Sequence, residues 1–198
     1  PVALKKFTSV ADSMSGKIDG NLQFSGAGTD WKQINSSLLG KGNFALQSGN
    51  FKTLNLVGNL MGDWVNSPQF RSIAQSRVGE KQWSSLNQTP FSLATGVFDI
   101  QNGAVFIKDL VMRLSEGELK SVGSFDFNHL TKFNGELLFD DKTSQNFANM
   151  LGLGPELTKF LFKDGKNLLL PFTVKGDYPS VKVALNSEQY WKGTKKMM

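Results

Sequence analysis

Cysteine is absent from this chain of 198 residues, and histidine occurs once. Without cysteine, neither a disulfide framework nor a thiolate metal site can form, and a single histidine cannot supply a multi-histidine site. His129 is therefore the only histidine available as a catalytic base. It falls in a polar turn, and the sequence contains no Gly-x-Ser-x-Gly motif, so we interpret it as a surface turn residue. We predict a non-enzymatic protein with no metal and no cofactor.

The glycine and carboxylate patterns of nucleotide-binding proteins and glycosidases are also missing. Gly26 and Gly28 lack the third glycine of a dinucleotide-binding fingerprint, and no Gly-x-x-x-x-Gly-Lys-(Ser/Thr) phosphate loop occurs. Asp140 and Asp141 are adjacent, but neighbours at a strand end point apart. We expect this pair to cap a helix before Thr143 rather than to act as general acid and base.

Long hydrophobic runs are lacking too, since no apolar stretch approaches the roughly 20 residues that span a bilayer as a helix. The net charge of +5 is modest, and the lysines are spread along the chain. A nucleic-acid binder more often shows a basic stripe interleaved with aromatic residues, so we predict no nucleic-acid partner. The 20 glycines, 16 phenylalanines and only 6 prolines are typical of many short strands joined by tight turns.

A repeated motif is the most informative feature that is present. Residues 42–49 and 96–103 both read Gly-x-Phe-x-(Leu/Ile)-Gln-(Ser/Asn)-Gly. The aromatic and aliphatic residues of each copy are two apart, which places them on the same face of a strand. A Ser-Gly or Asn-Gly step then favours a tight reversal. We therefore predict two hairpins, with strands at 42–48 and 50–56 and at 91–101 and 104–114.

The rest of the chain continues this pattern with helical interruptions. Further strands are predicted at about 18–24, 118–128, 133–139, 168–176 and 180–186. Short helices are predicted at about 2–14, 30–39, 57–88 and 143–163, and residues 192–198 are interpreted as a frayed tail. Within 57–88 we expect two helices, with Ser67 as a cap and Pro68 in the first helical position. The prediction is a single α+β domain, 1–198, whose strongly curved, mostly antiparallel sheet forms a half-open sandwich or groove.

The order of these segments resembles the C-terminal region of AsmA-like proteins of the Gram-negative cell envelope. The resemblance covers about 16–186 and is carried by four segments, at 16–28, 39–51, 91–103 and 170–183. The last of these is similar to the closing "Pro-Phe … Gly … Pro-x-Val" strand pair of the family. The turn from Gly176 to Pro179 departs from the pattern, because it is shorter than the family's Gly-Thr-x-x-x-Pro turn.

The resemblance implies a function in the cell envelope. It suggests a periplasmic module, tethered to the inner membrane by a segment outside this chain, that handles or transports phospholipid between the inner and outer membranes. The implied partners are a phospholipid or another acyl-chain lipid, the rest of a longer parent polypeptide and its inner-membrane anchor. A chain that starts with Pro1 and not Met is consistent with a fragment of such a parent.

The lipid-facing candidates are apolar residues that alternate with polar ones along the predicted strands. They are Phe44, Leu46, Phe98, Ile100, Val105, Ile107, Phe125, Phe127, Leu137, Phe139, Phe172, Val174, Val181 and Val183. The same alternation also suits the core of any half-buried antiparallel sheet. If the helices at 57–88 and 143–163 pack across this face, no open groove remains. The chain would then be a structural or assembly domain supporting outer-membrane biogenesis, with a filled core and no lipid site.

Overall fold

The structure, a computed structural model, describes residues 14–51, 54–74, 89–128, 130–177 and 180–195. Several sequence predictions therefore fall outside the described residues. These are the helix at 2–14 except Met14, the second part of the helical segment 57–88, the turn residue His129, and the closing turn residues Tyr178 and Pro179. Met14 itself begins the first strand.

Eight antiparallel strands form one sheet, in which the strand order follows the order along the chain. They are β1 (Met14–Ser25), β2 (Leu39–Phe51), β3 (Thr89–Gln101), β4 (Ala104–Leu114), β5 (Gly117–Asp126), β6 (Leu130–Phe139), β7 (Leu169–Asp177) and β8 (Lys182–Leu185). The long strand β1 and the short strand β8 are the two edges. The mostly antiparallel sheet predicted from the sequence is confirmed.

Six helices accompany the sheet in the described part of the chain. They are α1 (Trp31–Ser37), α2 (Leu56–Asn66), α3 (Pro68–Ala74), α4 (Asp141–Met150), α5 (Pro155–Leu161) and α6 (Ser187–Lys195). The helices expected near 30–39, at the start of 57–88 and within 143–163 are present. The prediction of a frayed tail was wrong for residues 192–195, because these residues belong to α6. Tyr190 and Trp191 of this helix are buried, and their packing holds the helix against the core.

The helix starts follow from side-chain caps that the sequence indicates. Asp30 accepts a hydrogen bond from the backbone N–H of Gln33, and Asp140 accepts one from Thr143. Asp141 lies one residue further and instead pairs with Lys166, so the two adjacent carboxylates have separate roles. The capping interpretation is therefore confirmed for Asp140 and not for Asp141.

The two copies of the repeated motif end differently. Asn102 (φ 51°) and Gly103 (φ 72°) form the tight turn between β3 and β4, as predicted. The hairpin predicted at Ser48 and Gly49 was wrong, because β2 runs through both residues. Ser48 also has a positive φ of 50°, but there it forms a bulge against Gly16 in β1. The chain shifts by one residue at this point instead of reversing.

Bulges keep the apolar side chains on one face of the sheet where strict alternation along a strand would move them to the other face. The register also shifts within β3 and β4, at Phe91/Leu93, Val97/Phe98 and Ile107/Leu110. Since directly paired residues point to the same side, the register defines an apolar face and a polar face. The apolar face includes Ile18, Phe44, Phe98, Ile107 and Leu119 and their partners, whereas lysines, carboxylates and amides dominate the other.

The core lies between one end of the apolar face and the helices α2–α6. Trp64 of α2 is fully buried, and its ring centroid lies 4.6 Å from that of Phe70 and 6.4 Å from that of Phe162. Helix α2 packs against β7 and β8, and α6 packs against β7. The sheet residues of this core include Leu137, Phe139, Leu170 and Phe172, all of them almost completely buried. The core therefore occupies only part of the apolar face.

Candidate functional site

The apolar face continues well beyond the region that the helices cover. We call this part the open apolar strip and define it by the residues Ile18, Leu22, Phe24, Phe44, Phe98, Ile100, Val105, Ile107 and Phe125, which lie on β1 to β5. None of these described residues belongs to the buried core cluster or to the side chains packed against it. Ile18 is 69% exposed and Phe24 is 68% exposed, whereas Val105 and Ile107 are buried at the middle of the sheet. The strip thus opens towards the edge strand β1.

Reciprocal packing of the two repeated motifs forms the middle of the strip. Gly42 pairs with Phe98, and Phe44 pairs with Gly96, so each Gly-x-Phe unit meets the other in antiparallel register. A Cβ atom on Gly42 would lie 2.7 Å from Cζ of Phe98, and one on Gly96 would lie 2.6 Å from the Phe44 ring. Each ring therefore lies over the backbone of the neighbouring strand, and the two ring centroids are 6.3 Å apart. Glycine is needed opposite each ring, because a side chain would occupy the same space.

Helix α1 lies where the strip reaches the β3–β4 turn. The hydroxyl of Ser37 accepts a hydrogen bond of 2.9 Å from the backbone N–H of Ala27, which ties the end of α1 to the loop before it. At Gly103, an added Cβ atom would lie 3.1 Å from the amide nitrogen of Asn35, so α1 packs on this turn. Trp31 is 52% exposed, and its ring centroid lies 6.3 Å from that of Phe127. Two further aromatic rings therefore border the strip.

The structure separates the fourteen lipid-facing candidates into two groups. Phe44, Phe98, Ile100, Val105, Ile107 and Phe125 lie in the open apolar strip, and Phe127 borders it beside Trp31. Leu137, Phe139, Phe172, Val174 and Val183 belong to the filled core, with Leu46 and Val181 packed against it. The filled core therefore takes up one part of the face, and the remaining candidates, of which Val105 and Ile107 are also buried, lie outside it.

The most exposed residues of the strip were not among the candidates. Ile18, Leu22 and Phe24 alternate with polar residues along β1, and this alternation places them on the apolar face. The alternation could have identified them from the sequence. Only the fold shows that no described helix covers them, because α2–α6 pack at the other end of the face.

Polar and titratable groups are scarce on the apolar face. Ser121 is buried there, and its hydroxyl donates a hydrogen bond of 3.0 Å to the backbone oxygen of Asn134. Ser121 therefore leaves no free donor for a ligand. Across the described ranges, no group of three or more His, Cys, Asp or Glu residues is placed to hold a metal ion. The strip offers apolar surface and no reactive group.

A shallow depression lies between α3 and α6. Its lining residues are Gln69, Ser187, Glu188, Trp191 and Lys192. Glu188 and Lys192 form an ion pair with each other across one turn of α6, and the lysine ammonium lowers the pKa of the glutamate carboxyl. The two ionisable side chains of this lining are therefore engaged with each other.

No helix in the described ranges is both long enough and apolar enough to cross a bilayer. Comparison of the chain with protein-family models, with curated proteins and with solved structures gives no match. The resemblance to AsmA-like proteins therefore rests on the sequence pattern alone, and the candidate site rests on the geometry of the open apolar strip.

Proposed function

We propose that this chain is a non-enzymatic lipid-handling module that shields part of an acyl chain on the open apolar strip. The observation that carries the proposal is the continuity of the strip from the filled core to the exposed edge strand β1. Monomeric soluble proteins rarely expose large contiguous apolar patches without a binding role. In the strip, Ile18, Leu22 and Phe24 are each more than half exposed on one face of one strand.

The sheet is physically suited to this task. The backbone N–H and C=O groups of inner strands are bonded to their neighbours, so the face above them can be wholly apolar. The strip crosses β1 to β5, and four strand spacings of about 4.8 Å make it roughly 19 Å wide. Burying each methylene group contributes about 0.8 kcal/mol, so about ten methylenes would offset a large part of the cost of leaving a bilayer.

The sequence resemblance suggests where such a module would work. We propose the periplasm of a Gram-negative bacterium as its location, with tethering to the inner membrane through a segment outside this chain. Its task there would be phospholipid handling or transport between the two membranes. A strongly curved sheet, in the form of a groove or half-open sandwich, would enclose an acyl chain better than a flat one, and this curvature is part of the proposal.

A pair of matched double variants tests the lipid site. Ile18→Thr with Leu22→Thr changes the strip, whereas Leu39→Thr with Val97→Thr changes two similarly exposed residues on the polar face. Threonine keeps the preference for strand, so both proteins should fold. Binding of a fluorescent phosphatidylethanolamine is measured by titration, and native mass spectrometry records phospholipid that copurifies with the protein.

We expect the strip variant to lose at least tenfold in affinity and the control to stay within about twofold of the unchanged protein, since two buried side-chain contacts are removed only in the first. If the unchanged protein carries and binds no phospholipid, or if both variants bind equally, the lipid site is refuted.

A structural or assembly domain is the second candidate function. The observation in its favour is the filled core, in which Trp64, Phe70 and Phe147 are buried between the helices and the sheet. Such a domain needs no ligand, and its apolar strip would contact a protein partner or the parent polypeptide. Absence of lipid binding together with unchanged folding of the strip variant would favour this candidate.

A further inference from the structure

Three lysines lie side by side on the polar face of the sheet. Lys132 of β6 pairs with Lys175 of β7, and Lys175 pairs with Lys182 of β8. All three side chains are exposed. Directly opposite residues in an antiparallel sheet have Cβ atoms about 5 Å apart, so three ammonium groups share one small region. We call these three residues the lysine row.

The lysine row is an exception to the pairing of charges elsewhere on this face. Lys41 lies opposite Asp99, Arg113 opposite Glu118, and Lys120 opposite Glu136. Opposite charges in such positions stabilise a sheet, and like charges destabilise it. Among the ion pairs of the described residues, none involves a member of the lysine row. The ion pairs of the described residues therefore leave these three positive charges unpaired, although Asp177, two residues beyond Lys175 in β7, adds one carboxylate to the same face.

From this arrangement we propose that the lysine row binds the surface of an anionic phospholipid bilayer. Two strand spacings separate its ends by about 10 Å, which suits an extended surface with several negative charges better than a single phosphate. Anionic bilayers attract clustered lysines, and the attraction is strongest within a Debye length. The inference concerns the polar face and holds whether or not the opposite face binds an acyl chain.

The neighbouring side chains favour a bilayer over a nucleic acid. Leu130 is 41% exposed and Val122 is 52% exposed on the same face, on β6 and β5. Aliphatic side chains beside lysines suit the boundary between headgroups and acyl chains. Single-stranded nucleic acids are instead bound by successive aromatic side chains on which bases stack, whereas the lysine row has no aromatic partner and is followed, beyond Ser124, by the single exposed ring of Phe106.

Co-sedimentation with vesicles tests the inference. The full chain is mixed with vesicles of phosphatidylcholine alone or of phosphatidylcholine with 30% phosphatidylglycerol, a composition chosen to be strongly anionic. The test variant is Lys132→Gln with Lys175→Gln and Lys182→Gln. The control variant is Lys41→Gln with Lys142→Gln and Lys159→Gln, which removes the same charge from other exposed positions.

We expect the unchanged chain and the control to bind the anionic vesicles, with binding that falls as salt rises, and the test variant to bind at least 20-fold more weakly. Thermal melting should show that the test variant is at least as stable as the unchanged chain, because like-charge repulsion is relieved. Three results would each overturn the inference: equal binding by both variants, equal binding to neutral vesicles, or release of the protein by inorganic phosphate at matched ionic strength. Tighter, lysine-row-dependent binding to an oligonucleotide than to anionic vesicles would also overturn it.

Discussion

Phe44 and Phe98 cover each other's motif glycines across the boundary between β2 and β3. Their ring centroids lie 6.3 Å apart, and each ring occupies the space that a side chain on the opposite glycine would need. The two motif copies are therefore not two independent hairpins but two halves of one cross-strand unit. This unit joins β2, and through it the edge strand β1, to the middle of the sheet.

Replacing Gly42 by alanine should destabilise this unit. The added Cβ atom would lie 2.4 Å from the backbone oxygen of Asn21 and 2.7 Å from the Phe98 ring, and the backbone oxygen cannot move away cheaply. We expect a loss of about 1–3 kcal/mol in the free energy of unfolding, measured by urea denaturation. Gly62→Ala is the control, since an added Cβ atom there meets nothing within 4 Å and alanine favours helix α2 by up to ~1 kcal/mol. Equal stability of the two variants would contradict the cross-strand unit.

Ser144 connects α4 to the last strands through one buried hydroxyl. Its oxygen accepts a hydrogen bond of 3.0 Å from the backbone N–H of Leu168, and the residue is fully buried. Ser144→Ala leaves this N–H without a partner, so we expect a loss of about 1–3 kcal/mol in the free energy of unfolding. Ser36→Ala, at an exposed position of α1, should change stability by less than about 0.5 kcal/mol. Chemical denaturation of both variants provides the measurement, and a neutral Ser144→Ala would mean that another group satisfies the N–H.

Tyr190 makes the stability of the protein sensitive to alkaline pH. Its hydroxyl donates a hydrogen bond of 2.7 Å to the backbone oxygen of Leu161, and burial raises the pKa of this hydroxyl above its usual value. The folded state therefore holds the proton more tightly than the unfolded state. The resulting stabilisation is complete below the unfolded pKa of about 10 and is lost as the pH rises above it.

Tyr190→Phe should remove this pH dependence and cost about 1–2 kcal/mol at pH 7, because the Leu161 carbonyl loses its buried donor. Denaturation curves at pH 7 give the stability cost of the substitution, and comparison with curves at pH above 10 gives the pH dependence. The expectation fails if the unchanged protein and the variant lose stability in parallel as the pH rises.

The ion pair between Asp141 and Lys166 should be visible in an acid titration. The lysine Nζ lies 2.5 Å from Oδ2 of the aspartate, and this hydrogen bond lowers the pKa of the carboxyl, with a second contribution from Asn167. A lowered pKa means that the pair stabilises the fold above the unfolded pKa, and that the stabilisation is lost as the pH falls through the folded value. Lys166→Met should raise the pKa of Asp141 in an NMR titration, whereas Lys163→Met, which changes an exposed lysine nearby, should leave it unchanged. If Asp141 titrates identically in the two variants, the ion pair with Lys166 is not the cause of its lowered pKa.

The two motif copies show how far local sequence decides structure. Ser48 and Asn102 precede a glycine at the same motif position, and both adopt a positive φ close to 50°. The local signal therefore predicts the left-handed residue at both places. It does not predict the outcome, because a positive φ serves a bulge as well as a turn. At Asn102 the following Gly103 also has a positive φ and the chain reverses, whereas at Ser48 the chain continues along both neighbouring strands.

Helix α6 shows where local sequence fails to predict structure. The sequence predicts a frayed tail from residue 192, yet residues 192–195 continue helix α6, whose Tyr190 and Trp191 are buried with ring centroids 4.8 Å apart. A helix this short gains most of its stability from tertiary packing, so its own sequence gives a weak signal. The contact of Tyr190 with Leu161, 29 residues away, is the kind of interaction that local patterning does not contain.

The sequence by itself determined which side chains share a face within each stretch between bulges, because strand side chains alternate with a period of two and the apolar residues follow that period there. It also determined the caps at Asp30 and Asp140 and the positive φ of Ser48 and Asn102, since each depends on residues next to one another, but not that the chain would reverse at only one of the two motif copies. Only the tertiary structure decided which part of the face is filled and which part stays open. The reason is physical: the position of α2–α6 over the sheet depends on contacts between residues far apart in the chain, whereas the alternation that builds the face is local.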